Sequence, residues 1–393
     1  MVTTSPSLWR LFWRSFFPDT QSAYRRFSIQ RLLIMLLFWP LFLTLLLSNR
    51  LCLWLDTLLF PGFARIEIHQ PVFVVGIPRS GTTLLHRLLA GDSERFTTTA
   101  LWELIFAPSI LQRRFWLAFA GLDRRLGAPL SRLLLHIERK VLGGLDGIHK
   151  TGLADPEEDY LAMAAYLGCF LLILPFGDAS LWQLAYLDRD ADATQRRQFT
   201  NLYRKLIQRH LYVHGREKTF LSKNPSFTPW MKSLKEEFPD GRFIACVRSP
   251  HEALPSQVSS ILPGVRIFSG KPDLRWWRDG LTDMLLHYYE VLMQCDQEWS
   301  AHEIQVIRMN ELASTPMTTV CSIYQHFDWP MATPYRHWLE NEDGKAKSYR
   351  SGHHYTANSL AIDHSEIEQR FYQAINHFRL ADRPAKTAVN RTG

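Results

Sequence analysis

PVFVVGIPRSGTTLLHRLLAGD, residues 71–92, is the stretch that decides the fold of this 393-residue chain. An apolar run rich in β-branched residues leads into a turn of Gly, Pro and Ser, and the turn leads into a helical pattern. We predict a strand near Val72–Val75 and a helix from about Gly81 to Ala90. A helix that begins directly after such a turn offers free N–H groups and its positive end, so we predict that the turn binds an anion.

The turn has the glycine spacing of the phosphate-binding motif G-x-x-x-x-G-K-[ST], at Gly76 and Gly81. Thr82 stands where that motif has lysine, and Thr83 keeps the final hydroxyl position. Because the missing lysine is the one that contacts β- and γ-phosphates, a nucleotide-triphosphate kinase or ATPase is the less favoured alternative. Arg79, inside the turn, can supply positive charge as a planar fork of donors that suits phosphate or sulfate.

Strands and helices alternate along the rest of the chain, which is typical of an α/β fold whose parallel sheet is flanked by helices. Buried strands are predicted at 218–221, 242–247 and 303–307, and a helix is predicted at about 315–327. Parallel sheets bind their ligands at the carboxyl ends of their strands. The motifs that carry chemistry follow the predicted strands, so we expect them to meet at one edge of the sheet.

A cluster of acids begins at Asp155, followed by Pro156, Glu157, Glu158 and Asp159. Asp is a good N-cap, Pro suits the first helical position, and acids are favoured in the first turn. We therefore predict that a helix begins here and runs to Pro175. We interpret the acids mainly as residues that stabilise the N-terminus of this helix, and positioning of the acceptor is the less favoured role.

The formal charge of +7 is concentrated in two segments, 1–65 and 104–140, each with seven basic and two acidic residues. Both segments are also rich in Leu, Phe and Trp. Basic residues interleaved with large apolar ones are typical of segments that bind a membrane surface. We favour that partner over nucleic acid. The five scattered cysteines form no C-x-x-C pair, which predicts neither a zinc site nor a disulfide framework.

The longest apolar run, Leu32–Ser48, contains Pro40 and is slightly short of the ~20 residues of a spanning helix. A second run, Leu51–Phe60, is interrupted by Asp56. We predict a monotopic or re-entrant hydrophobic helical anchor, with a single span as second choice and a buried helix pair of the globular domain as the remaining alternative. The predicted organisation is this anchor over 1–65, a catalytic domain over 66–380 with a helical insert at about 104–150, and a disordered tail over 381–393.

Two separated segments resemble the sulfotransferases that use 3′-phosphoadenosine 5′-phosphosulfate (PAPS), in particular their bacterial and tyrosylprotein-type branch. Pro78-Arg79-Ser80-Gly81-Thr82-Thr83 is similar to the loop that binds the 5′ end of the donor. CVRSPHEALPSQVS, residues 246–259, is similar to the 3′-phosphate site, where an arginine at a strand end is followed by a serine eight positions on, here Arg248 and Ser256. Weaker similarity extends over about residues 71–380.

The resemblance implies a P-loop-like parallel sheet and transfer of a sulfuryl group from PAPS to a hydroxyl. It implies donor binding by the loop, by Arg248 and Ser256, and by a late segment that includes His354 and Tyr355. Lys223, in LSKNPSF, resembles the lysine that contacts the bridging oxygen or the sulfonate. We expect no metal, because sulfuryl transfer has no triphosphate to neutralise.

The acceptor hydroxyl attacks well only if a base takes its proton. Related enzymes carry a base glutamate after the first loop-helix unit, which makes Glu103 the first candidate. Apolar neighbours would raise the pKa of this carboxyl towards neutrality, which would suit a base. His149 is the second candidate, since cytosolic sulfotransferases use a histidine base. Arg79 and Lys223 complete the predicted catalytic group.

The anchor and the basic insert predict a membrane-proximal acceptor, such as a lipid or glycolipid. A membrane-associated scaffold that binds nucleotide without catalysis is the remaining functional alternative. In a bacterium the donor is made in the cytosol, so we expect a membrane-associated enzyme with a cytoplasmic catalytic domain. In a eukaryote a single span after a cytoplasmic start predicts a Golgi membrane enzyme. The sequence fixes neither organism nor oligomeric state.

Overall fold

The computed structural model describes residues 7–25, 28–133, 136, 152–270, 272–348 and 364–380. The predictions for His149, His354, Tyr355 and the tail over 381–393 lie outside the described residues. The described part is an α/β fold, as predicted, with a parallel sheet and helices on both of its faces.

The sheet is parallel and has the strand order β2-β3-β1-β4-β5. Its strands are β1 Val72–Gly76, β2 Phe96–Thr97, β3 Thr219–Lys223, β4 Arg242–Val247 and β5 Ile304–Arg308. Val74 pairs with Lys223, and Gly76 pairs with Cys246. The carboxyl ends of β3, β1 and β4 therefore lie side by side, which confirms the predicted strands and their common edge; β2 was not predicted.

The helices pack around this sheet. The α-helices include α1 Leu8–Phe16, α2 Ile29–Leu59, α3 Thr82–Ala90, α4 Leu101–Phe106, α5 Ile110–Arg125, α6 Ile173–Phe176, α7 Leu187–Asp190, α8 Ala193–His214, α9 Met231–Glu237, α10 Pro250–Phe268, α11 Leu274–Glu298, α12 Met309–Ser314, α13 Pro316–His326, α14 Thr333–Ser348 and α15 His364–His377. Short 3₁₀ segments are Pro61–Arg65, Asp159–Tyr166, Phe170–Leu172, Ala179–Tyr186 and Pro225–Trp230.

The hydrophobic core lies on both faces of the sheet, because side chains alternate along each strand. Val72 and Val74 point to one face, where they join a buried cluster with residues of α3 and α13. Phe73 and Val75 point to the other face and join a larger cluster with residues of α8, α10 and α11. This two-sided burial explains why the strands read as continuous apolar runs rather than as alternating ones.

The two apolar runs near the N-terminus form one continuous helix, α2, with Pro40 inside it. Its buried residues recur on one side: Arg31, Met35, Trp39, Leu46, Asn49, Leu53 and Asp56. Its other side exposes a row of leucines, including Leu37 and Leu41. By length and composition α2 could cross a membrane, a criterion that core helices of soluble proteins also meet. The boundaries of the anchor, domain and insert stay predictions.

The helix predicted to begin at Asp155 does not form. Residues 152–158 instead run beside residues 99–102, joined by backbone hydrogen bonds from Leu101 N to Asp155 O (3.1 Å) and from Glu157 N to Thr99 O (3.1 Å). Regular 3₁₀ structure begins only at Asp159. The prediction was wrong because pairing with a distant segment satisfies the backbone groups that a helix would otherwise satisfy.

Candidate active site

The predicted anion-binding loop connects β1 to α3 and has unusual backbone geometry. Arg79 and Gly81 have left-handed φ angles of 67° and 88°. At Gly76, with φ of 125°, a Cβ would lie 2.1 Å from the backbone oxygen of Cys246, so only glycine fits. The loop therefore passes very close to β4, and the N–H groups of the first turn of α3 face out of the sheet edge.

Two hydroxyl groups fix the loop through hydrogen bonds to backbone groups. Thr228 Oγ1 donates to Gly76 O (2.8 Å) and accepts from Gly76 N (2.9 Å). Ser80 is fully buried, and its Oγ lies 2.5 Å from Ile77 O and 3.0 Å from Cys246 O. The hydroxyl of Ser80 thus faces backbone carbonyls rather than the open side of the loop.

The two segments that resemble the donor site meet in the fold. Arg79 Nε donates to Ser256 Oγ over 3.2 Å, and an Arg248 guanidinium nitrogen donates to Arg79 O over 3.0 Å. Arg248 also forms an ion pair with Glu252 at 2.7 Å, and Tyr289 donates to Arg248 O. Three of the predicted donor-binding residues are therefore in direct contact at the carboxyl ends of β1 and β4.

Lys223 ends β3 beside this loop and is almost fully buried. Its Nζ lies 3.0 Å from Glu157 Oε1 and 3.1 Å from Glu158 Oε1. Burial raises the pKa of Glu158, and the positive charges of Lys223 and Arg79 only partly offset this effect. Burial alone would lower the pKa of Lys223, but the two carboxylates outweigh it and keep the pKa raised. The amine is thus charged, and a carboxyl of raised pKa lies next to it.

A second buried acid lies directly behind this pair. Asp159 accepts hydrogen bonds from Ser222 Oγ (3.1 Å) and from the hydroxyl of Tyr203. Burial raises the pKa of Asp159 to about 7, although these two hydrogen bonds oppose the shift. The network fixes the start of the 3₁₀ segment against β3, and so fixes the neighbouring Glu158 against Lys223.

Two further polar side chains at the same strand ends have atoms without a partner among the described residues. Asn224 follows Lys223 and is fully buried, and its Nδ2 has no hydrogen-bond partner there. Ser249 follows Arg248 and is also buried, and its Oγ has none. Buried polar groups are rarely left unpaired, so both atoms are suited to contact a ligand at this edge.

Glu103 differs from the prediction. Its carboxylate is buried and contacts three groups: Ala100 N at 2.9 Å, His214 Nε2 at 2.6 Å and Arg113 Nε at 3.2 Å. Burial would raise the pKa of Glu103, but Arg113 and His214 outweigh it and the pKa is lowered. The expectation of a raised pKa was wrong, because the sequence does not reveal the cation that packs beside this helix.

Glu103, His210 and His214 each offer one ligand atom, and these atoms lie within 4.8 Å of one another. Such a spacing could hold a metal ion. However, the guanidinium of Arg113 already neutralises the same carboxylate, and a divalent cation would leave excess positive charge in a buried place. We therefore assign no metal there, and the predicted absence of a metal from the reaction stays a prediction.

The family model described as "Sulfotransferase family" matches residues 71–333, which is most of the chain. The chain belongs to the sulfotransferase family. This sulfotransferase is 26% identical over 289 residues to the omega-hydroxy-beta-dihydromenaquinone-9 sulfotransferase Stf3 of Mycobacterium bovis, covering 71% of the chain and 69% of Stf3. Stf3 of Mycobacterium tuberculosis matches with the same values.

Solved structures support the fold of this sulfotransferase. The sulfotransferase STF9 of Mycobacterium avium superposes with a TM-score of 0.73 at 16% identity, covering 94% of this chain and 90% of STF9. STF1 of Mycobacterium tuberculosis superposes with a TM-score of 0.69 at 18% identity, covering 92% and 90% of the two chains. The enzyme class and the fold expected from the sequence are thereby confirmed, and the kinase alternative is not favoured.

Sequence reasoning missed several groups that the fold of this sulfotransferase brings to the site. The sequence pattern favours Glu157 and Glu158 mainly as helix-terminus acids, and it predicts no role for Asn224 or Ser249. A usable signal existed for the last two, since each directly follows a residue predicted to bind the donor. No local signal reveals the pairing of Lys223 with acids 65 and 66 positions away.

Proposed function

We propose that this enzyme transfers the sulfuryl group of PAPS to a hydroxyl of a membrane lipid, with Glu158 as the general base. One observation carries the proposal: Arg79 contacts both Ser256 and Arg248 at the carboxyl edge of the sheet. Lys223 pairs with Glu158 at the same edge. One edge thus offers cations for an anionic donor and a base for an acceptor.

The loop between β1 and α3 is suited to the 5′ end of the donor through its backbone N–H groups. Arg248 and Ser256 are suited to the 3′-phosphate, as is the hydroxyl of Ser249, which has no partner in the described part of the chain. Arg248 is paired with Glu252, and its guanidinium has further N–H groups that suit the oxygens of a phosphate. The cofactor-binding assignment rests on these contacts together with the family resemblance.

Glu158 replaces Glu103 as the proposed base for two reasons. Its pKa is raised by burial, whereas that of Glu103 is lowered, and it interacts electrostatically with Arg79 of the donor loop. In the proposed step the acceptor oxygen bonds to sulfur while its proton passes to Glu158. The bond between sulfur and the bridging oxygen breaks, and that oxygen keeps the electron pair. We expect Lys223, at the end of β3, to stabilise the charge that develops on that oxygen.

The lipid acceptor is supported by the apolar surface around α2. Beside its row of exposed leucines, α1 exposes Trp9 and Trp13, Phe17 is exposed directly after α1, and α5 exposes Phe115 and Trp116. Arginines such as Arg114 lie among these residues, and this combination favours an anionic lipid surface. Stf3, a relative of 26% identity, is named for a hydroxylated dihydromenaquinone.

Attachment of α2 to the domain supports a monotopic anchor rather than a span. Near its start, Arg31 donates to the backbone oxygens of Pro175 and Ser15. Near its end, Asp56 is fully buried and pairs with Arg209 at 2.9 Å. A spanning α2 would have to break these contacts and leave unpaired charges behind. We propose that α2 lies in the plane of one leaflet.

This orientation keeps the catalytic domain on the side where the donor is made. If the chain is bacterial, as the relatives described above are by their names, the domain is cytoplasmic; in a eukaryote a Golgi membrane is the expected location instead. The 3₁₀ segment that follows Glu158 contacts α2, where Arg50 Nε donates to Ala165 O over 2.6 Å. A lipid hydroxyl at the membrane surface would thus have a short route to Glu158.

The test is sulfuryl transfer from ³⁵S-labelled PAPS to vesicles made of a total bacterial lipid extract. We expect label in the organic phase with the wild-type protein and none with Lys223→Met. Label confined to the aqueous phase in a water-soluble product would overturn the lipid acceptor. An absence of transfer, together with phosphoryl transfer from ATP with Mg²⁺, would overturn the enzyme assignment.

A further inference from the structure

Glu103 has a place in the fold that none of the roles above uses. Both of its carboxylate oxygens are already engaged, Oε2 by Ala100 N and Oε1 by His214 Nε2. The backbone of residues 99–102, which includes Ala100, is the support on which the segment before Glu158 rests. The carboxylate is therefore linked to the segment of the proposed base through the backbone of residues 99–102.

Several contacts join this support to the acid segment. Trp102 N donates to Leu153 O over 2.9 Å, Leu101 N donates to Asp155 O over 3.1 Å, and Ala100 pairs with Pro156 in an antiparallel bridge. Glu157 N donates back to Thr99 O over 3.1 Å. Residues 99–102, which lead into α4 and include its first two residues, thus bind the segment that presents Glu157 and Glu158 to Lys223 along its length. We call these four residues the 99–102 turn.

We propose that Glu103 is a positioning residue: by accepting from Ala100 N, its carboxylate fixes the 99–102 turn and thereby aims Glu158 at Lys223. Arg113 and His214 contact the carboxylate from α5 and α8, so the turn is tied both to the next helix of the chain and to a helix far from it in sequence. This inference rests on the proposed role of Glu158. It assigns Glu103 no contact with the acceptor.

The test must separate positioning from proton transfer and from simple misfolding. Replacing Glu103 alone would leave Arg113 as a buried unpaired charge, so both charges are removed together. Glu103→Gln with Arg113→Met keeps an oxygen that can accept from Ala100 N, whereas Glu103→Leu with Arg113→Met does not. Gln112→Leu is the matched control, because Gln112 caps α5 in the same way through Ser109 N and does not contact the acid segment.

The first readout is hydrogen–deuterium exchange of residues 152–158 in the free protein. We expect exchange at Glu157 N to be about tenfold faster in the Leu pair than in the Gln pair, and unchanged in Gln112→Leu. Equal exchange in the two pairs would overturn the proposal. This readout needs no turnover, so it tests Glu103 even if the proposed reaction is wrong.

The second readout is transfer from ³⁵S-labelled PAPS to the lipid vesicles across pH 5–9. We expect the Leu pair to have a kcat at least about tenfold below that of the Gln pair, with the KM for PAPS similar in both and with an acid limb in both profiles. If Glu103 were the base, both pairs would lose about 10²–10⁴-fold in kcat and neither would keep that acid limb. That outcome would overturn the positioning role.

Discussion

Arg79 donates from Nε to the hydroxyl of Ser256 over 3.2 Å, although 177 positions separate the two residues in the chain. The contact joins the loop after β1 to the helix after β4, which are the two segments proposed to bind opposite ends of the donor. It exists because β1 and β4 are neighbours in the sheet, with Gly76 opposite Cys246. The site is therefore a consequence of strand order.

Arg248→Ala is expected to weaken donor binding with little effect on kcat. Hydrogen bonds to charged groups contribute about 1.5–3 kcal/mol, which corresponds to a rise of about 10–150-fold in the KM for PAPS. Arg242→Ala is the matched control, because Arg242 begins the same strand at the opposite edge of the sheet. Titration calorimetry with 3′-phosphoadenosine 5′-phosphate measures the effect. Equal losses in both variants would contradict the assignment of Arg248.

Lys223→Met is expected to abolish transfer and to destabilise the fold. Removal of the amine takes away the cation that lies between Glu157 and Glu158, and breaking a buried pair costs about 3–5 kcal/mol. Urea unfolding and single-turnover assays measure the two effects. Lys218→Met, at the exposed start of the same segment, should change neither. Retention of more than about a tenth of wild-type turnover in Lys223→Met would argue against its catalytic role.

The activity is expected to fall as pH decreases through the raised pKa of Glu158. Only the ionised carboxylate accepts a proton, and burial raises the pKa of this group, so the acid limb of kcat lies above the usual glutamate range. Glu158→Gln should lose about 10²–10⁴-fold in kcat. The surface variant Glu94→Gln is the control. An unchanged acid limb in Glu158→Gln would mean that another group is the base.

Protein stability is expected to decrease between about pH 4 and 7 because of Asp159. Its pKa is raised from 3.8 to about 7, so the folded state keeps a proton that the unfolded state loses. Stability then falls as pH rises through this window. The amide in Asp159→Asn cannot ionise, so this variant should lack the part of the decrease in stability with pH that Asp159 causes. Urea midpoints at pH 5 and 8 for both proteins measure it; identical slopes would contradict the expectation.

Charged substitutions on the outer side of α2 are expected to reduce membrane binding without unfolding the protein. Leu37 and Leu41 are 68% and 64% exposed, so glutamate there meets water in the free protein and lipid in the bound one. Co-sedimentation with anionic vesicles should fall about tenfold or more for Leu37→Glu with Leu41→Glu. Tyr372→Glu, an exposed aromatic position on α15, is the control. An equal fall in the control would show that the effect is not specific to α2.

Much of the site could be predicted from the sequence where consecutive residues carry the chemistry. The donor loop follows from the order strand, glycine-rich turn, helix, and Arg248 follows from its place at a strand end. The base could not be predicted in this way. Glu103 stands among apolar residues in the sequence and Glu158 stands among acids, but Arg113 lowers the pKa of Glu103 while burial raises that of Glu158.

The apolar N-terminal runs also have features that the sequence reveals and features that it does not. Their composition correctly indicates a long hydrophobic helix, yet it does not reveal that Arg31 and Asp56 point to the same side. Both residues are polar, so a reading of hydropathy counts them only as interruptions. In the fold they fasten α2 to the domain, since each meets a partner that the distant chain supplies.

The sequence by itself determined the parallel sheet and the glycine-rich loop after its first strand, and its motifs carry the family resemblance, because apolar strand runs, glycine conformation and helix starts are properties of neighbouring residues. Tertiary structure alone decided which acid faces Lys223, which carboxylate Arg113 neutralises and which side of α2 is free. These depend on sheet register and helix packing, which bring together groups from distant parts of the chain and set the electrostatic environment of each.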